Sequence, residues 1–217
     1  MVNVSRAERI TLKRLSPFKL FVVKGEADPP LALAGPFFGS PHGVIVIEKL
    51  IALGAQRIWL LGWCGSLQPD LSIGDLIVPT AAFSEEGTSA HYHVHKRQGK
   101  TSSLLNKKLE RGLVRADLPF RKGPVWTTDA LYRETGDKVK TYGKKGALAV
   151  DMEMSALITV ALYRYVDLAG LLVVSDELSS LVWNNGFGHT ALKKRSREAA
   201  RLLLNICMNG RLAENNE

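Results

Sequence analysis

The sequence predicts one α/β domain built on a largely central sheet. Short β-branched and apolar runs alternate with helix-like stretches along the whole chain, the pattern of strands joined by packed helices. Two of the runs, RIWLLG at 57–62 and GLLVVS at 170–175, are apolar without alternation, as strands covered on both faces are. The 217 residues suit one large domain or at most two small ones.

The elements are predicted in order. Residues 20–24 (LFVVK) read as a buried strand ending at Gly25, followed by a Pro- and Gly-rich loop over 26–43. Residues 42–53 carry apolar side chains at 44, 45, 47, 50, 51 and 53, a helix with a wide buried face, and Gly54 stands where a C′ glycine belongs. Strands follow at 57–62 and 75–79, then a helix at 104–113. Strands at 147–150 and 170–175 flank a helix within 151–163. A last helix covers 190–207, where Lys and Arg alternate with Leu and Ala. Ligands of such sheets sit at the carboxyl ends of strands, so the loops after Lys24, Gly62, Pro79, Val150 and Ser175 are the ones to inspect.

Composition narrows the function. Hydrophobic residues make up 46% and charged residues 23%, enough apolar surface to offset the ordering entropy of a fold. The net charge of +8 admits nucleic acid, an anionic surface or a small anionic substrate. The basic residues are scattered, however, without interleaved aromatics or a binding module, so no nucleic-acid partner is expected. No apolar run is long enough to span a bilayer, and residues 1–17 lack the apolar core of a secretory signal. A cytoplasmic protein without a membrane partner is expected, with residues 1–17 peripheral to the domain and Cys64 and Cys207 as free thiols.

Two tempting motifs fail. Gly99-Lys100-Thr101 has Val94 where a phosphate-cradling loop needs glycine, and reads as a solvated turn. His91, His93 and His95 alternate, yet a polar strand edge or loop explains them, and no metal or cofactor is expected. Three other segments combine. The strand at 57–62 runs into the small turn GWCGS, carboxylates follow Val150 in VDMEMSA, and Asp176 follows a fully apolar strand in VVSDEL.

These segments, with GPFFGSPHGVIVIEKLIALGA (35–55), EEGTS (85–89) and TTDALYRET (127–135) in the same order, resemble the nucleoside phosphorylase family, which includes purine nucleoside phosphorylases, uridine phosphorylases and related nucleosidases. The resemblance implies a three-layer α/β/α sandwich around a twisted, partly barrel-like mixed sheet, one such domain over 1–217, and a homo-oligomer such as a dimer or trimer of dimers. It implies cleavage of a nucleoside's N-glycosidic bond. Glu153 would hold the ribose hydroxyls and Met152 would pack on the sugar. Asp176 would protonate a purine base lying near Phe83, Leu131, Tyr132 and Val150. Gly25, Gly62, Trp63 and Cys64 would border the phosphate or water.

The resemblance also breaks at informative places. Where the family's phosphorylases carry an Arg, before the Gly62 turn, this chain has Leu60, and Trp63 replaces a Thr, with its indole expected to fill the phosphate space. The loop after Gly25 brings Glu26 and Asp28 rather than Arg, and acids repel phosphate. The uracil-reading Gln and Arg fall near Thr135 and Asp137. The hairpin before Gly35 is expected to be missing. These departures favour a purine over uracil, leave phosphorolysis and hydrolysis both open, and suggest His189 or Lys193 as helpers of Asp176. A non-catalytic nucleoside- or nucleotide-binding protein on the same fold is the alternative.

Overall fold

A computed structural model describes residues 7–10, 18–23, 30–94 and 99–209. The elements begin with strands β1 (Ala7–Ile10), β2 (Lys19–Val23) and β3 (Leu31–Gly35), then helix α1 (Ser40–Ala52). Strands β4 (Arg57–Ser66) and β5 (Leu76–Glu85) precede α2 (Ser103–Arg115) and β6 (Phe120–Thr128). Next come α3 (Gly136–Lys144), β7 (Ala149–Asp151), α4 (Met154–Tyr163), β8 (Asp167–Glu177), β9 (Asn184–Asn185) and α5 (Thr190–Asn209). Short 3-10 turns lie at Thr88–His91 and Leu131–Arg133.

The central sheet is mixed and closes on itself. Its strands run β4-β7-β6-β5-β8, and β8 pairs again with β4. Closure removes the exposed edges of those strands. The β4–β8 and β5–β6 pairs are parallel, while β4–β7 and β5–β8 are antiparallel. Strand β8 is buried along nearly its whole length, which the unbroken apolar run predicts. Helices α1 and α4 cover one side, with Val44, Ile47, Leu157 and Val160 packed against Ile58, Leu60 and Val174. Helices α2 and α5 cover the other, with Leu109, Leu113, Leu192 and Leu203 on Leu76, Leu171 and Val173. The α/β fold class expected from the sequence is therefore the observed one.

Local chemistry explains the element ends. Helix α1 stops at Leu53, and Gly54 continues at φ 97°, a left-handed conformation that suits glycine. Ser102 caps α2 by accepting the Leu105 N–H.

Four expectations are corrected. The first predicted strand does not enter the central sheet. As β2 it joins a separate antiparallel sheet in the order β1-β2-β3, and apart from Leu20 its side chains are exposed or half-buried. The predicted loop over 26–43 contains β3 and the first turn of α1, so a hairpin partner of β2 does precede Pro36. Thr101 is buried rather than solvated. It donates to the Pro79 carbonyl and accepts from Asn106 Nδ2, and a Cβ on Gly99 would stand 2.3 Å from Ile158 Cγ2. Finally, β6 and α3 were not predicted. His91 ends a 3-10 turn and His93 lies in a loop, while His95 lies outside the described residues.

Candidate active site

The strand register lines up several of the residues selected from sequence. Gly65 on β4 is paired with Asp176 on β8 and with Val150 on β7. Val150 pairs with Trp126 on β6, and Trp126 with Phe83 on β5. Asp176, Val150 and Phe83 thus share one row across the closed sheet. Gly65 makes the row tight: a Cβ there would lie 2.5 Å from Leu178 Cδ1, 3.0 Å from Asp176 Oδ2 and 3.3 Å from Val150 Cγ1. Val150, Trp126, Leu178 and Leu67 are buried together, with Phe83 and Tyr142 against them. Trp126 stacks on Tyr142 at 4.5 Å and donates its Nε1–H to Glu85. Leu131 is half-buried in the turn after β6. Tyr132 is 92% exposed and does not join this cluster.

The second group forms where β7 enters α4. Asp151, only 4% exposed, accepts from Thr127 Oγ1 at 2.6 Å and from the Glu153 and Met154 N–H groups at 3.0 and 2.6 Å. A carboxylate at a helix start meets donors that the helix itself leaves free. It fixes the Met152-Glu153 turn. The start of α1 comes to the same place: Gly39 N–H donates to Glu153 Oε1 at 2.5 Å and Ser40 Oγ donates to the Met152 carbonyl at 2.8 Å. The GPFFGS and VDMEM segments, more than 100 residues apart, therefore build one corner. The sequence marks Asp151 as a carboxylate at a strand end but gives it no role of its own. Asp151→Asn can keep its oxygen on the two N–H groups only by turning its NH2 to Thr127 Oγ1, which then loses its own acceptor, and is expected to cost about 1–3 kcal/mol of stability, read as a lower urea midpoint.

Burial sets the ionisation of this corner. Glu153 is pushed up from 4.5 to about 7, first by burial and then by the nearby Asp151 charge, against the Gly39 bond that lowers it. Asp151 rises from 3.8 to about 6 by burial, with the Thr127 and backbone bonds opposing. Both folded-state values lie above the unfolded ones, so between roughly pH 4 and 7 the native state holds more protons than the unfolded chain. Their contribution to stability therefore falls as pH rises through that window and levels off above it. Urea midpoints at pH 5 and pH 8 check this, and Glu153→Gln should flatten the slope.

Asp176 is 5% exposed. Ser175 Oγ donates to its Oδ1 at 2.7 Å and lies 3.2 Å from the Cys64 carbonyl, while Trp183 Nε1 donates to its Oδ2 at 2.8 Å. His189 and Lys193, the helpers suggested by sequence, are exposed, and the donors on this carboxyl are Trp183 and Ser175 instead. Trp183 went unnoticed because it lies in a polar loop with no periodic signal. Glu134 is pushed up to about 8 by burial and then by the Asp176 charge. The buried Cys64 thiol is raised by burial, then by the Asp151 and Asp176 charges. Among the described residues, no Lys or Arg donates to Asp151, Glu153 or Asp176.

On the acceptor side, Leu60 is buried in the core beside Ile58 and Cys64. Gly62 lies against Leu172. Trp63 does not fill the space beside Leu60. Burial alternates along β4, and Trp63 shares the exposed face of Leu61, with its Nε1 on Ser196 and its ring on Phe187. Gly25, Glu26 and Asp28 lie outside the described residues.

Residues 11–207 match the family model of the Phosphorylase superfamily. The chain belongs to that superfamily. Among its superfamily relatives, it is 24% identical to a guanosine phosphorylase of Halorubrum lacusprofundi, over 82% of this chain and 74% of that protein. It is 32% identical to a DeoD-type purine nucleoside phosphorylase of Bacillus cereus, over 68% of this chain and 64% of the relative. The chain thus spans just under two thirds of the DeoD-type relative. A uridine phosphorylase structure from Vibrio fischeri ES114 superposes with a TM-score of 0.80 at 26% identity, covering 94% of this chain and 84% of that one. A purine nucleoside phosphorylase from Toxoplasma gondii, solved with immucillin-H, gives 0.83 at 23% identity over 95% and 84%, a likeness of fold. Among the described residues, no helix is long and apolar enough to cross a membrane.

Proposed function

We propose that this superfamily member cleaves the N-glycosidic bond of a purine nucleoside. The observation that carries the proposal is the joint placement of the Glu153 corner and of Asp176 with Gly65, Val150 and Phe83 in one strand row. The purine and guanosine phosphorylases among the relatives support it.

In this mechanism, ionised Glu153 accepts hydrogen bonds from the ribose 2′- and 3′-hydroxyls, and Met152 packs on the sugar. The base lies along Phe83 and Val150, with Leu131 at its outer side. As the C–N bond breaks, its electron pair goes to the base and the sugar becomes oxocarbenium-like. Protonated Asp176 gives its proton to the base. The carboxylates around the site favour that developing positive charge. A nucleophile then adds to the anomeric carbon from the region of Gly62 and Cys64. Phosphate serves if this chain works as its named relatives do, and the apolar Leu60 favours water. The proposal includes a single domain over 1–217, a cytoplasmic location and a homo-oligomer. Light scattering tests the last.

The deciding test incubates a nucleoside panel with and without phosphate and separates free base from nucleoside. Purine release that needs phosphate marks a phosphorylase, and release without it marks a nucleosidase. A folded sample that releases no base in either condition, yet is thermally stabilised by nucleosides, is the binding protein instead.

A further inference from the structure

The loop after β8 returns over the site and is held by an aromatic stack. Trp63 on β4 stacks on Phe187 at 6.0 Å, and Phe187 meets Trp183 edge to face at 6.2 Å. Trp63 is tied in turn to Ser196 of α5 through its Nε1 at 3.0 Å. All three rings are roughly half-exposed, yet the Trp183 indole N–H is committed to Asp176 Oδ2 at 2.8 Å. An indole donates and never accepts, so Oδ2 is held as an acceptor. Ser175 differs, because its hydroxyl has two acceptors in reach, Asp176 Oδ1 and the Cys64 carbonyl. It donates to Oδ1 when Asp176 is ionised. Turning to the Cys64 carbonyl instead frees Oδ1 for the proton that the base receives.

We infer that Trp183 is a positioning residue for Asp176, with Trp63 as its buttress: the indole N–H orients the carboxyl and favours the anion left once the base has taken the proton. The inference rests on Asp176 being the acid. The indole is a neutral donor, without the full charge of a Lys or Arg. Among the described residues, Glu134 and the Cys64 thiol feel the Asp176 charge. The adjacent Glu177 is engaged by Ile73 N–H and Asn184 Nδ2.

Trp183→Phe keeps a ring beside Phe187 and removes the N–H. The test follows the carboxyl 13C signal of Asp176, assigned by its loss in Asp176→Asn, against pH in the parent and the variant. The titration midpoint is expected to move up by about one pH unit in Trp183→Phe. The basic limb of kcat/KM should move the same way, with kcat down about tenfold and KM little changed. Trp63→Ala, which leaves the indole of Trp183 in place but removes its support, should give a smaller move in the same direction, and it decides if Trp183→Phe does not fold. An unchanged midpoint overturns the inference, even if activity falls. The titration needs no turnover, so a parent that releases no base refutes the proposed function separately.

Discussion

Asp176→Asn is expected to lower kcat for purine release by about 100- to 10,000-fold, the usual span for losing a positioned general acid. The substitution suits the test because the local bonds survive it. The amide oxygen can still accept from Trp183, and the amide N–H can donate to Ser175, whose hydroxyl then turns to the Cys64 carbonyl. The carboxyl proton is what disappears. A nucleoside whose base already carries a positive charge, such as N7-methylguanosine, needs no proton on departure. Its release should therefore be nearly insensitive to the variant. Equal losses on both substrates would mean that the substitution disturbs the pocket rather than the proton, and full activity on an ordinary purine nucleoside would remove Asp176 from the mechanism.

The layers were legible wherever burial on both faces wrote an unbroken apolar run. Residues 170–175 were readable because β8 is covered by helices on both sides, and α1 because its wide apolar face and Gly54 mark its stripe and its end. Two other elements carried weaker signals. Strand β6 begins with exposed, basic residues and contains Pro124, so its outer half looks like a loop. Helix α3 buries Val139 alone, too little apolar periodicity to detect. Strand β2 has the composition of a central strand, and what it pairs with is set by tertiary context that a local pattern does not contain.

The site was legible where chemistry and motif coincide in a short segment, as at Met152-Glu153 and Ser175-Asp176. It was not legible where distant segments supply the partners. Nothing near Glu153 in sequence announces the Gly39 N–H, and Trp183, though near Asp176 in sequence, lies in a polar loop without a pattern that turns its indole back. Trp63 shows the same limit. Its replacement of a small residue looked like a plug in the acceptor site, but strand alternation turns it to the other face, against Phe187. Leu60 lies in the hydrophobic core, where an unpaired cation would be costly.

Glu153→Gln carries the second large effect, an expected fall of about 100-fold in kcat/KM on a ribonucleoside. Gln retains an oxygen for the Gly39 N–H, so the corner between α1 and α4 should keep its shape. What it lacks is a charged acceptor for two ribose hydroxyls, and it offers an NH2 that can serve as a donor only. The charge also brings a pH signature. Because burial lifts Glu153 to about 7, the parent should gain kcat/KM as pH rises through that value, and the variant should lose this limb. A nucleoside without its 2′- and 3′-hydroxyls separates ribose binding from general damage. On that substrate the parent has no sugar bonds to lose, so parent and Glu153→Gln should converge, the coupling expected of groups in direct contact. If the variant is as impaired on the dideoxy substrate as on the ribonucleoside, Glu153 supports the fold of the corner and does not hold the sugar.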